Sequence, residues 1–129
     1  MTMKGKGINN NVRQIITVDE HGNITVPDGE IWMSEYEIAD LLGVFGHMVR
    51  KQVEEIYKAG LLHPCTAEWN IRVTEERWLD VYSLEMVIAL AFRINSQSAK
   101  RLRKHVIAML TEQHGGFIMF IPAGAGCSC

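Results

Sequence analysis

The stretch Glu37-Ile-Ala-Asp-Leu-Leu-Gly-Val44 is the part of the chain from which we predict the fold. Its alanine is small enough for two helices to cross closely, and its glycine, four residues later, favours a sharp turn between them. Val49 and Val53 continue the apolar pattern at helical spacing and would hold a second helix against the first. Residues 35–54 therefore predict a helix-turn-helix pair.

Local signals set the ends of these two helices. Ser34 and Glu37 fit the capping-box pattern, in which each side chain satisfies a backbone N–H at the start of a helix. Gly43 ends the first helix, because glycine tolerates the left-handed conformation of a helix cap. The second helix is predicted over residues 46–59, and Gly60, the next residue, ends it.

The residues that follow predict a β-hairpin and two further helices. We predict a loop over residues 61–68, and alternating side chains indicate strands at 69–73 and 78–82. Helices are predicted at 84–94 and 97–113, and the first of these is apolar nearly all round. The last helix is expected to direct three apolar side chains inward: Leu102, Val106 and Met109.

A smaller hairpin is predicted upstream of the helical pair. Residues 12–18 and 24–26 read as its strands, and residues 30–33 as a short extended piece. The predicted fold class is therefore α+β, with a winged helix-turn-helix core, a small N-terminal β-hairpin and a long basic C-terminal helix.

Length and composition restrict the class of protein. The chain has 129 residues, of which 47% are apolar and 22% charged, which suits one globular domain and argues against disorder. We find neither an apolar stretch of about 18 residues, as a membrane helix needs, nor a secretory signal, so we expect no membrane partner and a cytoplasmic location. We expect three parts: a flexible lead at 1–11, a single domain at 12–113 and a tail at 114–129.

Charge is distributed unevenly along the chain, although the net charge is only −2. Residues 14–49 contain seven acids and no lysine or arginine, whereas residues 86–111 contain five bases and no acid. The chain can therefore present a positive face, although a solvated helix face is the simpler alternative. Four of these bases lie in the last predicted helix: Lys100, Arg101, Arg103 and Lys104.

If the helical pair binds DNA, the start of its second helix enters the major groove. Five residues are predicted on the outward side at this end of the helix: Phe45, Gly46, His47, Arg50 and Lys51. Gly46 offers no side chain at a usual contact position. Arg50 suits guanine or a phosphate, Lys51 suits a phosphate, and His47 can donate to either a base edge or a phosphate. The alternative is that these residues are ordinary surface charges, which the acids Glu54 and Glu55 just downstream favour.

The hairpin that follows the second helix would form the wing. Arg72 and Arg77 lie near its turn, where they could contact backbone phosphates. Two glutamates at the tip oppose this interpretation. The alternative is a hairpin that only covers the core with its two tryptophans, Trp69 and Trp78.

Two motifs carry a resemblance to a known family. The run Tyr82-Ser-Leu-Glu-Met-Val-Ile-Ala-Leu-Ala-Phe-Arg-Ile-Asn-Ser96, taken with the segment that ends at Val44, resembles the RhuM-type virulence-associated family of bacteria. The resemblance covers about residues 32–110. It implies a helix-turn-helix protein of pathogenicity islands or mobile elements, more distantly similar to phage Bro-N-type modules. Arg93, Asn95 and Ser96 carry over from the family's motif, and the last two suit the cap of the basic helix.

We therefore predict a DNA-binding module that reads the major groove with the helix at 46–59. Its predicted role is transcriptional regulation in a bacterium, from the chromosome or a mobile element. We expect a homodimer on double-stranded DNA, because helix-turn-helix modules commonly read two half-sites with two copies. The alternative is a protein-interaction adaptor that uses the helical pair without touching DNA.

The sequence contains no pattern that points to catalysis. We find no metal-ligand spacing and no nucleophile motif, so we predict no enzyme, no metal, no cofactor and no small-molecule substrate. The role of Cys127 and Cys129 stays open.

Overall fold

The computed structural model describes residues 13–113, so the predicted lead, the predicted tail and the two terminal cysteines lie outside the described residues. Within 13–113 the fold is mixed α+β, with five helices and two small antiparallel sheets. The elements in chain order are β1 (Thr17–Val18), β2 (Ile24–Thr25), β3 (Trp32–Ser34), α1 (Glu35–Leu42), α2 (Gly46–Lys58), α3 (Pro64–Ala67), β4 (Glu68–Arg72), β5 (Trp78–Ser83), α4 (Leu84–Arg93) and α5 (Gln97–Gln113).

The larger sheet has the strand order β3-β5-β4 and is antiparallel throughout. Met33 pairs with Tyr82 across β3 and β5, and Trp69 pairs with Val81 across β4 and β5. The predicted hairpin at 69–73 and 78–82 is confirmed, and the predicted extended piece becomes the third strand. Because β3 runs directly into α1 and β5 directly into α4, this sheet fixes where both helices begin.

The smaller sheet is the predicted N-terminal hairpin, reduced to two residues in each strand. Its turn is closed by the Asp19 carboxylate, which accepts hydrogen bonds from the backbone N–H groups of His21 and Asn23. Chiefly because of the hydrogen bond from Asn23, the pKa of Asp19 lies below its ordinary value. This Asx-type turn bends the chain soon after β1 and so shortens the hairpin.

α1 and α2 are joined by a turn of three residues. The predicted capping box is confirmed: the Ser34 hydroxyl accepts from the Glu37 N–H at 3.2 Å, and the Glu37 carboxylate accepts from the Ser34 N–H at 2.8 Å. Gly43 adopts the left-handed conformation, at φ 67°, and ends α1 as predicted. The inward side of α2 carries three buried residues that pack it onto the core: Val49, Val53 and Ile56.

One hydroxyl group, that of Ser96, forms hydrogen bonds to both helices where the end of α1 meets the start of α5. Ser96 donates to the Leu42 carbonyl at 2.6 Å and accepts from the Ala99 N–H at 3.0 Å. It therefore satisfies a carbonyl at the end of α1 and an N–H at the start of α5. The predicted capping role of Ser96 is confirmed, and the same contact holds α5 beside the helical pair.

Two local predictions are wrong. The predicted loop at 61–68 contains the short helix α3, because Pro64 is preorganised for a first helical turn and the ring nitrogen of His63 accepts from the Cys65 N–H. Met109 was expected to point inward with Leu102, but it is 44% exposed, whereas Leu102 is buried. The reason is that the core lies against the first half of α5, and the second half extends past it.

The core is built from the larger sheet and all five helices, with Ile16 and Ile31 of the N-terminal segment. α4 contributes four buried residues and is central, as its apolar sequence predicted: Met86, Val87, Leu90 and Ala91. In the described part of the chain, none of the helices combines the length and the apolar character that crossing a bilayer requires.

Candidate nucleic-acid interface

The outward face of α2 carries three of the residues that the sequence predicted to contact DNA. His47, Arg50 and Lys51 are all exposed, whereas Val49 and Val53 on the opposite face are buried. The helical register predicted from the spacing of the valines is therefore the one observed. The face is available to a large partner along the first half of the helix.

Arg50 is already paired within the protein. Its Nη2 lies 2.7 Å from Glu35 Oε2, and its Nε donates to Glu35 Oε1 at 3.2 Å. The hydrogen bond to Glu35 is the main reason that the pKa of Arg50 lies above its ordinary value, and the negative charge of Glu35 adds to it. In this structure the Arg50 guanidinium is therefore bound to Glu35 by two hydrogen bonds.

Gly46 is the residue that lets Glu35 approach the start of α2. A Cβ atom built on Gly46 would lie only 2.8 Å from Glu35 Oε2. The first turn of α2 has no acid of its own, and Phe45 at its N-cap makes no side-chain hydrogen bond. The carboxylate of Glu35 therefore supplies the negative charge that the N-terminus of a helix favours.

An aromatic pair is exposed at the same end of α2. The rings of Phe45 and His47 stack with centroids 5.9 Å apart and an angle of 11° between their planes. Phe45 is 75% exposed. This flat aromatic surface could stack on a base or cover an apolar partner, and the sequence placed both rings on the outward side but assigned a DNA contact only to the histidine.

The hairpin β4–β5 holds Arg72 against an exposed tryptophan. The Arg72 guanidinium lies 5.6 Å from the centroid of the Trp78 ring and donates to the Glu75 carbonyl at 3.1 Å. Trp78 is 50% exposed, so it does not cover the core as the alternative interpretation expected. Trp69 instead packs edge-to-face on Trp32. Arg77 is exposed at the turn.

The four bases of α5 do not act alike. Arg103 is half-buried, and its Nη1 donates to the carbonyls of Ala91 at 2.6 Å and Ile94 at 3.1 Å. It therefore caps the end of α4. Lys100, Arg101 and Lys104 are exposed, as the sequence predicted for a basic face.

Arg101 and Lys104 lie beside the turn of the small hairpin. Together with His105 they line an open groove against Gly22 and Asn23. Gly22 has φ 88°, and a Cβ built on it would lie 3.7 Å from the Arg101 guanidinium carbon. The end of the hairpin and the basic side of α5 thus form one local surface.

The predicted site residues fall into separate groups. α1 and α4 each pack against both α2 and α5, so the helix with the predicted reading face and the basic helix are joined through these two helices. One further base does lie beside α2: Arg93 of α4 donates through Nε to Gln52 at 2.9 Å. The sequence identified Arg93 as one of the five bases at 86–111 and through the family motif, but it did not predict the contact with Gln52, which is 41 residues away.

Within residues 13–113, no group of three or more His, Cys, Asp and Glu side chains is placed to hold a metal ion.

Two tyrosines have pKa values above the ordinary value of the phenol. Tyr57 donates to Glu68 at 3.0 Å, and burial is the first cause that raises its pKa. Burial, followed by the carboxylates of Glu68 and Asp80, raises the pKa of Tyr82 to about 12. Both phenols therefore stay protonated at neutral pH.

Comparison with known proteins gives no relative for this chain: no protein-family model, no curated protein and no solved structure matches it significantly.

Proposed function

We propose that the chain is a DNA-binding module of the winged helix-turn-helix type that reads the major groove with α2. The observation that carries this proposal is the order of elements around the larger sheet: strand β3, helix α1, a three-residue turn, helix α2, the short helix α3 and then the hairpin β4–β5. The hairpin returns to β3 through β5 and so projects from the same sheet that anchors the helical pair. A helix with a free outward face beside a hairpin is the arrangement that such modules use.

The residues on α2 support the same proposal. His47, Arg50 and Lys51 lie within the first two turns of the helix, where helix-turn-helix proteins make their base contacts. We assign Lys51 to a phosphate, and His47 together with the stacked Phe45 to the base edges or the sugar-phosphate backbone. Arg50 joins them once it leaves Glu35.

We assign auxiliary phosphate contacts to the two other exposed groups, the hairpin and α5. Arg72 and Arg77 would contact the backbone from the wing, with Trp78 supporting the Arg72 guanidinium. Lys100, Arg101 and Lys104 would contact a second stretch of backbone, if bent DNA or a second copy brings it to them. Arg103 is left out of this set, because its guanidinium is bound to the end of α4.

A matched pair of lysines on α2 tests the proposal. Lys51 and Lys58 are both exposed and lie seven residues apart, close to two turns, so they share one face of the helix. We expect Lys51→Ala to weaken the binding of duplex DNA roughly fivefold and to reduce the slope of log affinity against log salt by about one. Lys58→Ala should leave both quantities near the parent values, because the C-terminal end of a reading helix leaves the groove.

The measurement is fluorescence anisotropy with labelled duplexes at several salt concentrations. Equal effects of Lys51→Ala and Lys58→Ala would show that α2 contributes only a general charge and does not dock by its N-terminal half. A parent protein that binds no duplex even at about 50 mM salt, where the electrostatic contribution is strong, would refute DNA binding.

We further propose the biological role that the resemblance to the RhuM-type family implies, a transcriptional regulator in a bacterium. In this role the protein acts as a homodimer on two half-sites about 34 Å apart. Light scattering with and without duplex DNA tests the dimer, and a monomer under both conditions would refute it.

A second candidate function is a protein-interaction adaptor. The observation that favours it is an apolar surface on the second half of α5, where Ile107 is 54% and Leu110 is 56% exposed. Leu110 also lines a groove formed by apolar side chains of α4, α5 and the N-terminal segment, among them Ile16 and Ile88. Exposed apolar patches of this kind mark protein contacts. The anisotropy measurement separates the two functions, since an adaptor would give no salt-dependent binding of DNA.

A further inference from the structure

Arg50 and Glu35 form a partly exposed salt bridge that contributes little to the stability of the fold. The Arg50 side chain is 59% exposed and the Glu35 side chain 32% exposed. Exposed ion pairs of this kind contribute little to stability, because water screens the charges and both side chains lose conformational freedom. Arg50 can therefore leave Glu35 for another anion at a small cost in free energy.

The position of the pair is more informative than its strength. Glu35 is the first residue of α1 and Arg50 the fifth residue of α2, so the contact joins the two helices of the proposed DNA-binding pair. Glycine at position 46 leaves room for it, since a Cβ atom there would lie 2.8 Å from Glu35 Oε2 and the carboxylate would have to shift. The acid thus stands on the side of α2 that the proposed function directs toward DNA.

The Arg50 guanidinium uses Nε and Nη2 to donate to the two oxygens of Glu35. A phosphate oxygen pair would be bound by the same edge of the guanidinium, because carboxylate and phosphate both accept this bidentate arrangement. The edge can serve one such anion at a time. Glu35 and the DNA backbone are therefore competitors for Arg50.

We propose that Glu35 limits the DNA affinity of this protein by holding Arg50, and that binding replaces the Glu35 carboxylate with a backbone phosphate of DNA. This inference rests on the proposed DNA-binding function and adds to it a residue that lowers the affinity for DNA. Glu35 does not contact DNA in this scheme, and it acts only through Arg50.

The test is Glu35→Gln, which keeps the size of the side chain and removes its charge. We expect it to raise the affinity for duplex DNA about threefold to tenfold in fluorescence anisotropy. The gain should be equal for two duplexes of unrelated sequence, because a phosphate contact carries no sequence information. Circular dichroism should match that of the parent, and the melting temperature should fall by a few degrees at most, because Glu35 loses only its favourable charge at the helix N-termini and a partly exposed ion pair.

Two controls separate release of Arg50 from a general change of charge. In an Arg50→Ala background, Glu35→Gln should give no gain in affinity beyond the small effect of removing one negative charge. Glu54→Gln removes an exposed acid of α2 whose charge reaches Arg50 without a hydrogen bond to it, and should produce only that same small effect.

The outcomes distinguish this inference from the proposed function. If the parent binds DNA and Glu35→Gln gives the same gain with and without Arg50, competition for Arg50 is refuted while DNA binding stands. A gain confined to one duplex sequence would overturn the assignment to a phosphate in favour of a base contact. If neither the parent nor Glu35→Gln binds any duplex, the proposed function fails and this inference fails with it.

Discussion

Arg13→Ala is expected to lower the free energy of unfolding by about 2–4 kcal/mol, somewhat less than the cost of breaking a fully buried ion pair, because Glu37 is partly exposed. Arg13 contacts Glu37 through both terminal nitrogens, at 2.6 Å and 2.8 Å. It also donates to the Trp32 carbonyl at 2.9 Å. The side chain of Arg13 is 7% exposed and that of Glu37 23%, so loss of the guanidinium leaves a poorly hydrated carboxylate.

The measurement is denaturant unfolding of the parent, Arg13→Ala, Glu37→Gln and the double variant. Glutamine also supports a capping box, so Glu37→Gln removes the charge while it preserves the contact with Ser34. We expect the double variant to be more stable than the sum of the two single losses predicts, because the second change removes the charge that the first left unpaired. Lys58→Ala, at an exposed lysine, provides the control and should change stability by less than about 0.5 kcal/mol.

Acid titration gives a second measurement on the same pair. Burial alone would raise the pKa of Glu37, but the hydrogen bonds from Arg13 and Ser34 outweigh it and hold the pKa below its ordinary value of 4.5. The stabilisation is therefore complete above pH 4.5 and is lost as the pH falls through the lower value of the folded state. The parent should lose stability in this range more steeply than Glu37→Gln. A loss below about 1 kcal/mol for Arg13→Ala, with equal acid profiles, would contradict the prediction.

Gly43→Ala is expected to destabilise the protein by about 2–3 kcal/mol, from two separate causes. The residue has φ 67°, a conformation that costs an L-residue energy. The added Cβ would also lie 3.0 Å from the Ser98 hydroxyl of α5, so one of the two must shift. A shift here moves the turn between α1 and α2, and we therefore expect DNA affinity to fall as well.

Gly60 supplies the matched control for this substitution. It also has a left-handed conformation, at φ 77°, but a Cβ built on it has nothing within 4 Å. Gly60→Ala should therefore cost about 1 kcal/mol, the conformational part alone. Ser98→Ala combined with Gly43→Ala should recover part of the difference. If Gly43→Ala and Gly60→Ala lower the free energy of unfolding equally in denaturant, the contact between the added Cβ and Ser98 does not affect stability.

Short-range signals in the sequence determined the ends and the inward faces of the helical pair. The capping box at Ser34 and Glu37 and the glycine at position 43 act within one turn of the backbone. The spacing of Val49 and Val53 determined which face of α2 is buried, because the helical period is a property of the backbone itself. These features needed no knowledge of the rest of the chain.

Only the tertiary structure decided which charged side chains face water. Arg13 and Glu37 are 24 residues apart, and Arg50 and Glu35 are 15 residues apart. Arg103 looked like part of a basic face, yet it caps α4 because α5 packs beside the end of that helix. A lysine or arginine has the same intrinsic preference for the surface wherever it occurs, so its partner depends on which backbone the fold places within reach. The sequence by itself therefore determined the helical pair and its outward face. The packing of α1, α4 and α5 decided which basic side chains of the protein are held by a partner within it, as Arg50 and Arg103 are.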